Sequence, residues 1–294
     1  PTGNKMILIP IQYHKRKYPA HIRPNIDEIA GHFDVQEIFP KRDFSLHTEY
    51  SYGKRSLNSE LINKFATLQN SNKDGVPKLW HSELWALEFA EYVKALCNGK
   101  APSIIEIHPP FSDYIESIEQ FLRIYKIFEE SILTSFPQAR ILIENRSGSI
   151  YKGSKFLISK GQHLRSLCEH ISAMNLKLRI TLDIPQLLTA YGGPDNLGTK
   201  ALSDILNRQN ILESMTDGIH LWGKRRSKAG RPVAHCGDLN SFFESEEKKN
   251  IFLEWLVQFL QDKRPRYFVP EVNSADADLH SIIRDLEGMK IRFG

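Results

Sequence analysis

Short apolar runs alternate with longer amphipathic stretches along most of this 294-residue chain. Met6 to Gln12 is apolar except at its end and reads as a first strand. Asn25-Ile-Asp-Glu-Ile-Ala carries helix-start chemistry, and residues 33–39 read as the second strand. The pattern weakens over residues 47–75, where 59–68 has helical spacing and 70–75 is loop-forming. Trp85, Phe89, Val93 and Leu96 recur near a period of 3.6, so a helix is predicted over 83–96, closed by Asn98-Gly99.

From Ser103 the alternation is regular. Strands are predicted at 103–108, 140–144, 178–183, 217–221 and 267–271. Helices fill 115–136, 163–174, 200–215, 244–262 and 276–286. An eighth strand near 76–80 completes the set. Strand and helix alternating along a whole chain imply βαβ units and a parallel sheet. Near-continuous apolar strands agree, because parallel sheets are covered on both faces. The expectation is α/β, a (β/α)₈ TIM barrel in one domain over residues 1–294.

Five of the predicted strands end in potential ligand side chains: Ser103-Ile-Ile-Glu-Ile in His108, Arg140-Ile-Leu-Ile in Glu144, Leu178-Arg-Ile-Thr-Leu in Asp183, Asp217-Gly-Ile in His220, and Tyr267-Phe-Val-Pro in Glu271. In a parallel barrel every strand C-terminus reaches one rim, where the active face lies. Carboxylates gathered there repel one another unless a divalent cation sits among them. Any one polar strand end is as often a cap or a salt bridge; the same ending on several strands favours ligation. Glu144, Asp183, His220 and Glu271 are therefore candidate metal ligands, and His108 with Glu144 is placed to hold a second ion. Mixed oxygen and nitrogen donors suit Zn²⁺ or Mn²⁺, so one or two such ions are expected. His81, beside Trp80, reads first as a packed side chain. His235, in Val-Ala-His-Cys-Gly-Asp, belongs to a loop able to fold over the mouth and reach metal or substrate. Its neighbour Cys236 reads as a buried thiol, and the role of Asp238 stays open.

Hydrophobic content of 41% and charged content of 25% are those of a globular protein. No apolar run approaches the roughly 20 residues that cross a bilayer, so no membrane role is expected. Three scattered cysteines argue against a disulfide framework and for a cytoplasmic location, and Met6-Ile-Leu-Ile-Pro is too short for a signal peptide. Net charge of +4 permits a polyanionic partner without requiring one. Cations nevertheless concentrate in three loops, Lys15-Arg-Lys, Lys41-Arg, and the stretch from Trp222 to Pro232. Lys224, Arg225 and Arg226 are candidate contacts to DNA or another phosphate-bearing substrate. Tyr13, Tyr18, Phe44 and Trp222 are aromatics able to stack on bases or sugars. Oligomeric state is not legible.

Several motifs carry a family resemblance. They are Ile141-Leu-Ile-Glu-Asn-Arg-Ser-Gly, Leu182-Asp-Ile-Pro-Gln, His220-Leu followed by a polar loop and His235, Ile107-His-Pro, Pro270-Glu-Val-Asn and, more weakly, Ile38-Phe-Pro-Lys-Arg. With them the chain resembles the xylose-isomerase-like TIM barrels, and most of all the endonuclease IV-type AP endonucleases (AP endonuclease family 2). The resemblance implies a metal-dependent hydrolase of phosphodiesters, acting on apurinic or apyrimidinic DNA in DNA repair. It implies that Glu144 bridges ions, with Glu144, Glu271 and His235 catalytic. It also implies third-ion ligands at Gln186, Val233 and His235. Val233 cannot serve and Gln186 serves poorly, so two ions at most are expected and Gln186 falls to substrate binding. Glu144, Asp183, His220 and Glu271 around one ion also resemble the ketose isomerase and epimerase branch. There Glu144 and Glu271 would move protons beside a carbonyl. A barrel that binds without catalysis is a third possibility.

Overall fold

The computed structural model describes residues 5–207 and 210–294. Eight strands lead it: β1 Met6–Gln12, β2 Ile26–Gly31, β3 Phe44–Thr48, β4 Ile104–Ile107, β5 Arg140–Glu144, β6 Arg179–Asp183, β7 Thr216–Leu221 and β8 Arg266–Pro270. They neighbour one another in chain order, and β8 pairs in parallel with β1, so the sheet closes into a (β/α)₈ barrel. A short ninth strand, β9 Ile291–Phe293, also runs parallel to β1. The helices are α1 Glu83–Cys97, α2 Ile118–Ser135, α3 Gly161–Ala173, α4 Ile184–Thr189, α5 Thr199–Ile205, α6 Leu239–Phe243, α7 Glu246–Phe259 and α8 Asp276–Gly288. Among the described residues no helix is long and apolar enough to cross a membrane.

The chain divides into two compact units. One runs from Glu28 to Ile180; the other joins the residues up to Asp27 with Thr181–Gly294. In the first, all four residues of β4 are buried, as its apolar sequence requires. α1 begins where the Ser82 hydroxyl accepts from the Trp85 amide, and it ends at Asn98 in the left-handed conformation. Its predicted stripe of Trp85, Phe89, Val93 and Leu96 is buried. Trp80 is fully buried, its ring centroid 5.0 Å from Trp85, 5.3 Å from Phe128 and 5.4 Å from Phe89.

Five expectations are corrected. Residues 76–80 do not form the eighth strand. They make a turn that delivers Trp80 to this aromatic cluster, and the missing strand is β3. Residues 25–30 are not a helix start, and the second strand is not 33–39 but β2. Ile26 and Asp27 pair with Ile11 and Gln12 of β1, and that ladder outweighs a local capping signal. Over 33–39, Phe33 and Ile38 are buried from irregular backbone. The helix expected at 244–262 is α7 followed by a 3₁₀ turn, Leu260–Asp262, with α6 ahead of it. The helix expected at 200–215 is the shorter α5 with a 3₁₀ turn at Glu213–Met215; residues 208–209 of that expectation, and 1–4 at the N-terminus, lie outside the described residues.

In the second unit a cation closes the N-terminal end of β8. Arg266 is fully buried and donates to both carboxylate oxygens of Asp262 at 2.7 Å. It also donates to the carbonyls of Thr216 at 2.8 Å and Glu213 at 2.8 Å. Arg266→Met removes these donors while roughly keeping the volume. The expected cost is about 3 kcal/mol, toward the low end for breaking a buried pair because Asp262 is partly exposed. Urea unfolding of wild type and variant measures it; a loss below about 1 kcal/mol would show that Arg264, which donates to the same two carbonyls and to Asp262, and solvent satisfy the acceptors without Arg266.

Candidate metal centre

Parallel register builds a polar cluster in the unit from Glu28 to Ile180. His47 of β3 stands opposite Glu106 of β4, and Ile107 opposite Ile143 of β5. One step further, His108 meets Glu144, its Nε2 being 3.5 Å from Glu144 Oε1 and 3.9 Å from Glu106 Oε1. His47 Nδ1 lies 3.2 Å from Glu28 Oε1 and 3.8 Å from Glu106 Oε1. His47, Glu106 and His108 each offer a ligand atom, all within 4.8 Å of one another.

The tautomer of His108 is settled by its surroundings. Its Nδ1 faces the Glu49 carbonyl at 3.2 Å, and a carbonyl only accepts, so Nδ1 carries the hydrogen. Burial, reinforced by the charges of His47 and Arg146, lowers the His108 pKa to about 4 against the pull of Glu144, so the ring is neutral near pH 7. Nε2 therefore presents a lone pair. It is buried and without a hydrogen bond, and it faces carboxylate oxygens. A lone pair against two anions is repulsive, and a cation between them turns each into a ligand. The charge balance agrees: Glu28, Glu106 and Glu144 are three carboxylates met by Arg146 and a cationic His47, while Glu49, whose pKa burial pushes up to about 7, is paired with Arg55. For His47, burial opposes the charged form, but Glu106, Glu28 and Glu144 outweigh it and push the pKa up to about 10. The residues fit a divalent ion with mixed nitrogen and oxygen ligands.

The other unit gathers Asp183 at the end of β6, His220 within β7 and Glu271 just past β8, all buried, with ligand atoms within 4.8 Å of one another. His220 Nδ1 lies 2.9 Å from Glu271 Oε1 and 3.9 Å from Asp183 Oδ2. Asp183 caps α4: its Oδ1 accepts from the Gln186 amide at 2.9 Å, and Oδ2 accepts from the Gln186 side chain at 3.0 Å. Trp222 donates its indole N–H to the same carboxylate at 2.9 and 3.0 Å. Gln186 and Trp222, expected to touch substrate, are thus partners of Asp183. His235 lies against Trp222, ring centroids 4.3 Å apart, and donates from Nδ1 to the Glu271 carbonyl at 3.0 Å. Its Nε2 is left as the accepting nitrogen.

The segments bearing Trp222 and His235 cross at two glycines. A Cβ on Gly223 would lie 2.3 Å from the carbonyl carbon of Gly237, so no side chain fits there. Beyond the crossing, residues Lys224–Arg226 pair antiparallel with Pro232–Ala234 as a hairpin. Lys224 and Arg226 pair with Asp195, and Arg225 pairs bidentately with Asp278. Lys228 and Arg231 are exposed and hold no described ion pair. Val233 is exposed on the hairpin. The aromatics Tyr13, Tyr18, Phe44 and Trp222 are all buried, which corrects the expectation that they stack on a substrate. His81 faces the Thr67 carbonyl at 3.2 Å, and burial lowers its pKa. Cys236 is half-buried, and Asp238 caps α6 through the Ser241 amide. Sequence reasoning missed His47 and Glu106. Glu106 lies two residues before His108 on one strand, hence on the same face, and that spacing was the available signal.

No family model and no curated protein matches this chain. Among solved structures it is similar to one named AsfvAP:AG, at 11% identity over 83% of this chain and 85% of that one, with a TM-score of 0.49. It is similar to a xylose isomerase domain containing protein from Salmonella typhimurium, at 12% identity, covering 92% and 89%, with a TM-score of 0.48. A D-tagatose 3-epimerase-like protein shares 12% identity over 92% and 90%, with a TM-score of 0.45. At these values the likenesses carry no argument about activity.

Trp222→Phe keeps the ring and deletes the N–H on Asp183. Metal affinity is expected to fall about 10- to 100-fold, as when other partners of a ligating group are removed. Competition against a chelator with Zn²⁺ or Mn²⁺ reads this, beside a melting curve. Unchanged affinity would mean that Gln186 alone holds Asp183.

Proposed function

We propose that this chain is a metal-dependent phosphodiester hydrolase, with abasic DNA the substrate to test first. The observation that carries the reading is the buried, hydrogen-bond-free Nε2 of His108 facing Glu144 and Glu106, because it supports an ion position in addition to that of Asp183, His220 and Glu271. His47, Glu106 and His108 would hold one ion and Asp183, His220 and Glu271 another. Glu144, at the end of β5 and 3.5 Å from His108 Nε2, would complete the shell of the first. A divalent cation held by these residues would supply Lewis-acid charge for phosphoryl oxygens.

The protein groups do the rest. Trp222 and Gln186 fix the plane of the Asp183 carboxylate, and Glu271 orients His220. His235, its Nδ1–H committed to the Glu271 carbonyl, would take the proton of an attacking water at Nε2. Lys228 and Arg231 would meet flanking phosphates. A second reading, a ketose isomerase or epimerase, is favoured by the ion pairs that neutralise Lys224, Arg225 and Arg226, since a neutral sugar gains little from cations.

Elemental analysis after saturation with Mn²⁺ or Zn²⁺ is expected to count two ions per chain, falling to one in His108→Ala and one in Asp183→Asn. Cleavage of an abasic duplex should drop by about 10²-fold or more in each variant. One ion in the wild type, unchanged in His108→Ala, together with turnover of a ketose in a coupled assay, would replace this reading by the second.

The hairpin gives a separate expectation. Replacing Lys228 and Arg231 by alanine should flatten the salt dependence of DNA binding, by up to roughly one unit for each phosphate that either cation neutralises. Replacing Arg225, already paired with Asp278, should change it less. Fluorescence anisotropy across a salt series decides; equal slopes for both would remove the hairpin from the DNA interface.

A further inference from the structure

Arg146 follows β5 and Asn145, two residues past Glu144. Its backbone amide donates to the Ile158 carbonyl at 3.0 Å, which pins the segment. Its Nη1 donates to Glu144 Oε1 at 3.1 Å. The guanidinium lies 5.6 Å from the ring centroid of Tyr50 and 5.1 Å from that of Phe156, so two aromatic faces hold its plane. The opposite edge of the fork is different. Nε is buried without any hydrogen bond, and no described bond engages Nη2.

A buried cationic N–H without an acceptor is costly and rare enough to call for a reason. Salt bridging to Glu144 is not that reason, since Nη1 alone serves it. Nor does the other guanidinium of this cluster show the same feature: Arg55 donates from Nε to Glu49 Oε1 at 2.9 Å and from Nη2 to the Tyr50 hydroxyl. Arg146 is held rigidly, half-turned toward a carboxylate of the candidate metal centre, with a bidentate edge left for something else. Such an edge matches two oxygens of a tetrahedral or planar oxyanion.

We propose that Arg146 is an anion-binding residue whose Nε–Nη2 edge receives the phosphoryl oxygens of a ligand at this centre. It rests on the hydrolase reading for its choice of phosphate over carboxylate. The charge would then act at the reacting group, in addition to the ions. Lysine could replace it only in part, because an ammonium gives a point charge rather than a fork.

The test is calorimetric titration of inorganic phosphate, with acetate beside it, into wild type, Arg146→Lys and Arg146→Met. Each protein is titrated after chelator treatment and again after Mn²⁺ loading. Metal-free wild type should bind phosphate in preference to acetate. Arg146→Met should weaken that binding by about tenfold or more, the scale of a charge-assisted pair of hydrogen bonds, and Arg146→Lys should recover only part of it. Ion content should match the wild type in both. Equal phosphate affinity in all three proteins overturns the assignment, as does a preference for acetate. Loss of metal from Arg146→Lys along with phosphate would make Arg146 a support for Glu144 instead. Phosphate binding that depends on Arg146 in a protein that cleaves no phosphodiester would leave this inference standing and sink the hydrolase reading.

Discussion

Anions buried at the ends of apolar strands are the constraint on which this molecule depends. A carboxylate removed from water must be met by hydrogen bonds or by positive charge. Away from the candidate centre the chain meets each one locally. Glu129 accepts from the Tyr125 hydroxyl and from the Lys177 amide, Asp217 is met by Arg264, and Asp278 by Arg225. At the centre the solution differs. Beside the ion pairs of His47 and Arg146, carboxylates there also face the neutral imidazole nitrogen of His108, a donor set that could hold a divalent ion.

The surrounding apolar structure serves that arrangement. Trp80, locked among rings, donates its indole N–H to the His108 carbonyl at 2.7 Å, so the aromatic cluster also sets the end of β4. Trp222 does the equivalent for Asp183 while lying against His235 and Phe242. Two of the chain's four tryptophans thus orient segments that carry candidate ligands, each with an apolar body in the core of its unit and one polar atom committed to its cluster. The glycine crossing at Gly223 and Gly237 lets Trp222 and His235 arise from segments that touch backbone to backbone.

The basic stretch after Trp222 reads differently once folded. In sequence it holds five cations and no acid, which suggests an undivided positive surface. Folded, its first three cations meet Asp195 and Asp278, acids from 29 or more positions away in the chain. Only the tip keeps charge for a partner.

What the sequence determined is the alternation of strand and helix and the ligand chemistry at strand ends. Glu144, Asp183, His220, Glu271 and His108 all lie at the C-terminal ends of their strands, where each apolar run stops, and all are buried there. The tertiary structure alone decided β2 and β3. The local pattern over 25–39 points to a helix start and a strand at 33–39, and pairing with β1 and β4 overrides it. It also decided which polar residues become partners: His47 opposite Glu106, Gln186 and Trp222 on Asp183, Arg225 on Asp278. Except for Gln186, three residues past the Asp183 cap, those pairings are set by register between strands and by loop crossings rather than by spacing along one segment.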